Sequence, residues 1–113
     1  MRLDARLKMI KKKLITKQRD IDTLIERIVE YADEHYGWAI AEQVRDVLEG
    51  NIDLSDPEEV YNQIAEDAIE YIERTLSYFE RMFTGEGNED GLWLVREAKD
   101  RLNKIKHILE EEG

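Results

Sequence analysis

The chain has 113 residues, 42% of them hydrophobic and 39% charged, with no cysteine and a formal net charge of −10. This length and composition predict one soluble globular domain, residues 1–113, with its own hydrophobic core. The lack of cysteine excludes a disulfide framework and a cysteine nucleophile, and apolar runs of at most four residues exclude a membrane span.

The charge is divided unevenly along the chain. Residues 1–19 carry eight basic residues and one acid, a net +7, which leaves nine basic and 26 acidic residues, a net −17, for residues 20–113. We call residues 1–19 the basic arm and the remainder the acidic body. The arm includes the run KMIKKKLITKQR, and its leading cations are Arg2, Arg6, Lys8, Lys11, Lys12 and Lys13.

The first predicted helix spans about residues 3–36 and has a coiled-coil-like pattern. Apolar positions recur at alternating spacings of four and three residues, which is the heptad pattern of a helix with one narrow apolar seam. The seam positions are Leu3, Leu7, Ile10, Leu14, Lys17, Ile21, Leu24, Ile28, Tyr31 and His35. In the second half, Ile25, Val29 and Ala32 widen the apolar face, as packing in a globular bundle requires.

Three further helices are predicted at about 38–49, 57–83 and 90–111. Gly37 and Gly50 are typical helix stops, and Asp56-Pro57 is a typical helix start, with Glu59 placed to complete a capping box. The stretch TGEGNEDG, residues 84–91, separates the last two helices. Because no alternating strand pattern is present, the expected fold is all-α: an irregular four-helix bundle with a long first helix.

The length of the first helix favours self-association. A helix of that length extends about 50 Å, whereas a domain of this size is roughly 30–35 Å across, so the arm should overhang the body. We therefore expect a homodimer in which the arm lies across the acidic body of a second copy. The expected self-association residues are Leu3, Leu7, Ile10, Leu14, Lys11, Lys12 and Lys13. The alternatives are packing of the arm on its own chain, binding of nucleic acid and attachment to an anionic membrane surface.

The acidic body is expected to meet a protein with a basic surface through Glu66, Glu70, Glu73 and Glu80. A second apolar contact patch is expected near Trp93, because Leu92, Trp93 and Leu94 point in three successive directions and cannot all face one core. With no catalytic motif, the function expected is a non-enzymatic protein-interaction module without a cofactor.

The segment HYGWAIAEQVRDVLEGNIDL, residues 35–54, leads into an acidic helix and resembles phage-encoded antirestriction proteins. These are small, dimeric, all-α proteins whose carboxylates mimic the phosphates of DNA. The resemblance implies an acidic inhibitor of a nucleic-acid-binding enzyme as an alternative function. The expected location is the cytoplasm, which would be that of the host for a phage-encoded protein.

One enzymatic alternative also follows from the acidic residues. Glu70 and Glu73, followed by Glu97 and Asp100, resemble the carboxylate pattern of all-α nucleotide pyrophosphohydrolases of the MazG type. The resemblance implies a Mg²⁺ site on two helices that would bridge the phosphates of a nucleoside triphosphate. Magnesium is expected only under this alternative.

Overall fold

A computed structural model describes residues 20–112. All the regular structure in this part of the chain is helical, with no strand, and this confirms the all-α prediction. The helices are α1 (20–36), α2 (Trp38–Glu49), α3 (Pro57–Gln63), a 3₁₀ turn (Glu66–Ala68), α4 (Ile69–Glu86) and α5 (Glu89–Glu112). The basic arm and the first half of the seam lie outside the described residues.

The ends of the helices follow local signals in the sequence. Gly50 and Gly87 follow α2 and α4 in the left-handed conformation, with φ of 70° and 68°, which glycine adopts without a steric penalty. At the start of α3, the Asp56 carboxylate accepts from the backbone N–H of Glu58 and Glu59. Glu59 does not complete the expected capping box, because its carboxylate accepts from Gln63 Nε2 at 3.0 Å.

The helix predicted at 57–83 is interrupted, which raises the number of α-helices in the described chain from four to five. Ile64 and Ala65 are extended, with ψ of 117° and 136°. Ile64 is 1% exposed, and the backbone N–H of Ala65 donates to Oε1 of Gln43 on α2 at 2.9 Å. The burial of Ile64 and the hydrogen bond from Ala65 to α2 therefore interrupt the helix at these two residues. Helix α4 begins at Ile69 and ends at Glu86, beyond the predicted end at residue 83.

Helix α4 is at the centre of the fold. It packs along α5, and α1 runs antiparallel to it: Arg27 of α1 reaches Glu86 at the end of α4, while Tyr31 stacks on Tyr78 nearer its start. The fully buried large side chains include Phe79 and Phe83 of α4. The other members of this buried set are Ile28, Ile64, Ile72, Leu76, Leu102, Ile105, Val44, Val47, Val60 and Val95.

Within the described part of α1, burial is broader than a narrow coiled-coil seam. Ile28 is fully buried, but the seam residue Tyr31 is only partly buried and His35 is exposed. The flanking residues Val29 and Ala32 are buried instead. This half of the helix therefore packs as a globular bundle helix, as the widened apolar pattern predicted, and one edge of the seam remains at the surface.

Candidate interaction surfaces

The first candidate surface is a groove at the end of the bundle where α1 begins in the described chain. We call it the tryptophan groove; its volume is about 380 Å³ and Trp93 lies in its wall with 55% of its surface exposed. The groove is lined by Ile21, Asp22, Ile25, Leu48, Glu49, Trp93, Leu94, Glu97 and Arg101. An exposed tryptophan among aliphatic side chains is typical of a contact surface between proteins.

Arg101 links two of the helices that form this groove. Its Nη1 donates to the backbone carbonyls of Val47 and Leu48, both at 3.1 Å, and so joins α5 to the last turn of α2. A cation at a helix C-terminus also interacts favourably with the helix dipole. The guanidinium thus binds two backbone carbonyls. Among the residues that line the groove it is the one cation beside three carboxylates, of which Glu49 contacts Arg45 at 3.4 Å.

Acidic side chains predominate at this end of the bundle. They come from the start of α1, the end of α2, the end of α4 and the start of α5: Asp20, Asp22, Glu26, Asp46, Glu49, Glu86, Glu89, Asp90 and Glu97. Some are paired, as Glu26 is with Arg45 at 2.6 Å and Glu86 with Arg27 at 3.0 Å. Partial burial, with repulsion from Glu42 and Glu49, raises the pKa of the Asp46 carboxyl, as expected in a region of negative potential.

The second candidate surface lies between the C-terminal half of α1 and one face of α4. We call it the tyrosine cleft; its volume is about 520 Å³. It is lined by Tyr31, Tyr36, Glu70, Glu73, Arg74, Ser77, Tyr78 and Arg81. The α4 residues recur every three or four positions, so they form one continuous helix face.

Stacked rings build the walls of this cleft. Tyr31 stacks on His35 at 3.9 Å and on Tyr78 at 4.5 Å between ring centroids, and because both partners are nearly parallel to it they must cover its opposite faces. Tyr36 forms a second, tilted pair at 4.9 Å with Tyr71, which lies outside the lining of the cleft and has the Arg74 guanidinium 5.8 Å from its ring centroid. The structure leaves 38% of Tyr78 exposed.

The charges in the tyrosine cleft are largely paired. Glu70 contacts Arg74 at 2.6 Å and Glu73 contacts Lys106 of α5 at 2.8 Å. Within residues 20–112, Arg81 makes no ion pair. Burial, aided by the neighbouring tyrosines, raises the pKa of Tyr31. A tyrosine hydroxyl is protonated at neutral pH even without such a shift, so it can donate a hydrogen bond.

No protein-family model, curated protein or solved structure matches this chain. Across residues 20–112, none of the helices is both long enough and apolar enough to cross a membrane. The function is therefore inferred from the surfaces of the protein itself.

The predicted acidic face is only partly an array of free carboxylates. Of its four members, Glu70 and Glu73 are paired as described, and Glu80 contacts Lys99 at 3.4 Å. Glu66 lies in the 3₁₀ turn and is exposed. Ion pairs within the protein thus compensate three of the four predicted carboxylates.

The four carboxylates of the alternative Mg²⁺ site are not gathered into one site. Glu70 and Glu73 line the tyrosine cleft, Glu97 lines the tryptophan groove, and Asp100 contacts Lys104 at 3.3 Å. Within residues 20–112 no group of three or more histidine, aspartate or glutamate side chains is arranged to hold a metal ion. The self-association residues of the arm, Leu3 to Leu14, lie outside the described chain.

Sequence reasoning found one of the two surfaces. The expectation that the side chains around Trp93 could not all face the core is met, since Leu94 is buried and Trp93 is exposed. The tyrosine cleft was not predicted, because Tyr31 fits the apolar periodicity of its helix and was placed in the seam. The spacing of Arg74, Tyr78 and Arg81, which places them on one face of α4, is the signal that could have indicated it.

Proposed function

We propose that this protein is a non-enzymatic interaction module that assembles as a homodimer. In the dimer, the basic arm of each copy lies in the tryptophan groove of the other. The observation that carries the proposal is the groove itself: an exposed tryptophan and aliphatic wall, surrounded by carboxylates, at the end of the bundle where the arm joins α1.

The chemistry of the arm complements that of the groove. Leu3, Leu7, Ile10 and Leu14 supply one apolar stripe, and burying each would contribute on the order of 1.5–3 kcal/mol. The wall formed by Trp93 and Leu48 would receive this stripe. Lys11, Lys12 and Lys13 would then meet carboxylates such as Glu97, which favours association and orients the arm.

Charge also favours exchange of arms over direct pairing of two arms. The arm carries a net +7 and the rest of the chain a net −17, so two arms repel each other while each attracts the body of the other copy. Because the attraction acts between exposed groups, it weakens as added salt shortens the screening length. We therefore expect a dimer whose dissociation constant rises with ionic strength.

An acidic face for a basic partner, with Glu66, Glu70, Glu73 and Glu80 as its residues, is a secondary part of the proposal. Glu70, Glu73 and Glu80 would have to exchange the cations of this chain for those of the partner, whereas Glu66 is exposed. A DNA mimic of the antirestriction type is the alternative within the same class. It depends on carboxylates that are free to replace phosphates, and the ion pairs of Glu70, Glu73 and Glu80 make the mimic the less favoured of the two. Salt-sensitive inhibition of a DNA-binding enzyme would support it.

The test is a charge exchange between two full-length variants. The first carries Lys11→Glu, Lys12→Glu and Lys13→Glu in the arm, and the second carries Glu49→Lys and Glu97→Lys in the groove. In a homodimer of either variant, the substituted arm or groove would face charges of its own sign. We therefore expect each variant, measured alone by light scattering, to be monomeric. Mixed together, each arm finds a groove of opposite charge, and a heterodimer should form.

A matched control carries Glu66→Lys and Glu110→Lys, which change the net charge as the groove variant does but lie along a different part of the surface. This control should dimerise like the wild type and should not rescue the arm variant. A wild-type chain that is monomeric at low salt would refute self-association. Dimers that survive both reversals would refute the groove as the docking site.

A further inference from the structure

The tyrosine cleft is separate from the proposed dimer site, and its hydrogen-bonding character is unusual for so acidic a protein. The groups available to an occupant are hydroxyls from Tyr31, Tyr36, Tyr78 and Ser77 and the guanidinium of Arg81. All of them can donate a hydrogen bond, and the guanidinium can only donate. The carboxylates in the wall, by contrast, already accept from Arg74 and Lys106.

An aromatic surface rich in donors is complementary to a ligand that is apolar and rich in acceptors. A polyproline II strand has this character, because its carbonyls make no internal hydrogen bonds and proline has no N–H to satisfy. Grooves lined by aromatic rings are a recurrent way of binding such strands, since the flat rings receive the proline rings and a preformed strand loses little entropy.

The dimensions of the cleft set the size of its occupant. The lining face of α4 runs from Glu70 to Arg81, which corresponds to about 16 Å at 1.5 Å per residue. A polyproline II strand rises 3.1 Å per residue, so about five residues fit along this face. Arg81 lies at one end, where an acidic side chain on the ligand would reach it.

We infer that the tyrosine cleft binds an extended, proline-rich segment of a partner protein that carries an acidic residue facing Arg81.

Two other occupants are less well matched. The lysine-rich arm of this protein would meet Arg74 and Arg81 here, with two carboxylates that already contact cations of this chain, and the carboxylates of the tryptophan groove suit it better. Single-stranded nucleic acid could stack on the rings and place phosphate near Arg81. However, the net −17 of residues 20–113 would repel its backbone.

The test uses full-length, ¹⁵N-labelled protein titrated by NMR with three probes. These are a blocked peptide of ten prolines, the same peptide with one central aspartate, and oligothymidylate of ten nucleotides. We expect saturable shifts at Tyr31, Ser77 and Tyr78 with both peptides. The aspartate peptide should bind about two- to fivefold tighter, the effect of one exposed ion pair.

Three variants assign the binding to the cleft. Tyr78→Ala should weaken both peptides by about tenfold or more, as at an aromatic hot spot. Tyr78→Phe keeps the ring and removes one donor, and it should weaken them about two- to tenfold. Arg81→Ala should remove the preference for the aspartate peptide while leaving decaproline unchanged, and Trp93→Ala, in the other surface, should change neither.

Circular dichroism establishes that each variant is folded; if Tyr78→Ala is not, Tyr78→Phe and Arg81→Ala decide the question. The inference is overturned if neither peptide produces saturable shifts at millimolar concentration, or if the folded Tyr78 variants bind as tightly as the wild type. Tighter binding of oligothymidylate at the same residues would overturn it in favour of a nucleic acid site. Because the oligomeric state of the wild type can be measured by light scattering in the same sample, failure here is distinguishable from failure of the proposed assembly.

Discussion

Gly91 gives the sharpest test of how closely α4 and α5 pack. It lies buried in the first turn of α5, where its backbone N–H donates to Oδ1 of Asn88 at 3.0 Å. A methyl group added here would lie 2.6, 2.7 and 2.9 Å from three ring carbons of Phe83. Phe83 is itself 0% exposed, so its ring has no solvent into which it could move.

The magnitude follows from two opposing effects in Gly91→Ala. Carbon atoms in contact prefer separations of about 3.5–4.0 Å, so the ring or the helix must shift by about 1 Å. Overpacking of this kind costs about 1–3 kcal/mol. Alanine is favoured over glycine in a helix by up to about 1 kcal/mol, which offsets part of that cost. We expect a net loss of about 1–2 kcal/mol in the free energy of unfolding.

Gly85→Ala is the matched control. Gly85 is helical in α4, and a methyl group there would meet no atom within 4 Å. The same chemical change should therefore increase stability, by up to about 1 kcal/mol. Urea unfolding followed by circular dichroism at 222 nm measures both variants. If Gly91→Ala is as stable as the wild type while Gly85→Ala gains stability, the packing of α5 on Phe83 is looser than described.

Three further predictions concern helix ends and charge. Asp56→Ala should lower the free energy of unfolding by about 1 kcal/mol through loss of the α3 cap, and Asp56→Ser should largely restore it in the same urea assay. Arg101→Met keeps much of the alkyl chain but removes the hydrogen bonds to two α2 carbonyls, so it should lower the free energy of unfolding by about 1.5–3 kcal/mol. A decrease below about 0.5 kcal/mol, which is typical of a surface substitution, would contradict the role assigned to Arg101. Asp46→Asn should stabilise the protein at neutral pH, because the raised pKa of Asp46 means that its charged form is disfavoured in the folded state. That gain should shrink as pH falls through the pKa of Asp46 in the folded protein and vanish below the ordinary aspartate range, whereas a gain independent of pH would point to another cause.

The all-α fold and most helix ends could be predicted from the sequence because they depend on neighbouring residues. The periodicity of Ile28, Val29 and Ala32 places an apolar face on α1, and Asp56-Pro57 starts α3, without reference to the rest of the chain. Glycine after α2 and α4 ends those helices for a steric reason that also acts locally. The division of charge between residues 1–19 and the remainder is likewise a property of the sequence.

The interruption after α3 and the character of both surfaces were decided by tertiary structure. No proline or glycine is present at Ile64 or Ala65. The helix breaks there because the Ile64 side chain is buried in the core and the backbone N–H of Ala65 donates to Gln43 of α2. Glu73 was expected to meet a basic partner protein, yet it contacts Lys106, 33 residues away in the same chain, because α4 and α5 pack side by side. The periodicity of the sequence predicts which residues share one face of a helix and whether that face is apolar or charged. Whether that face is buried, ion-paired or exposed depends on the helix that packs against it.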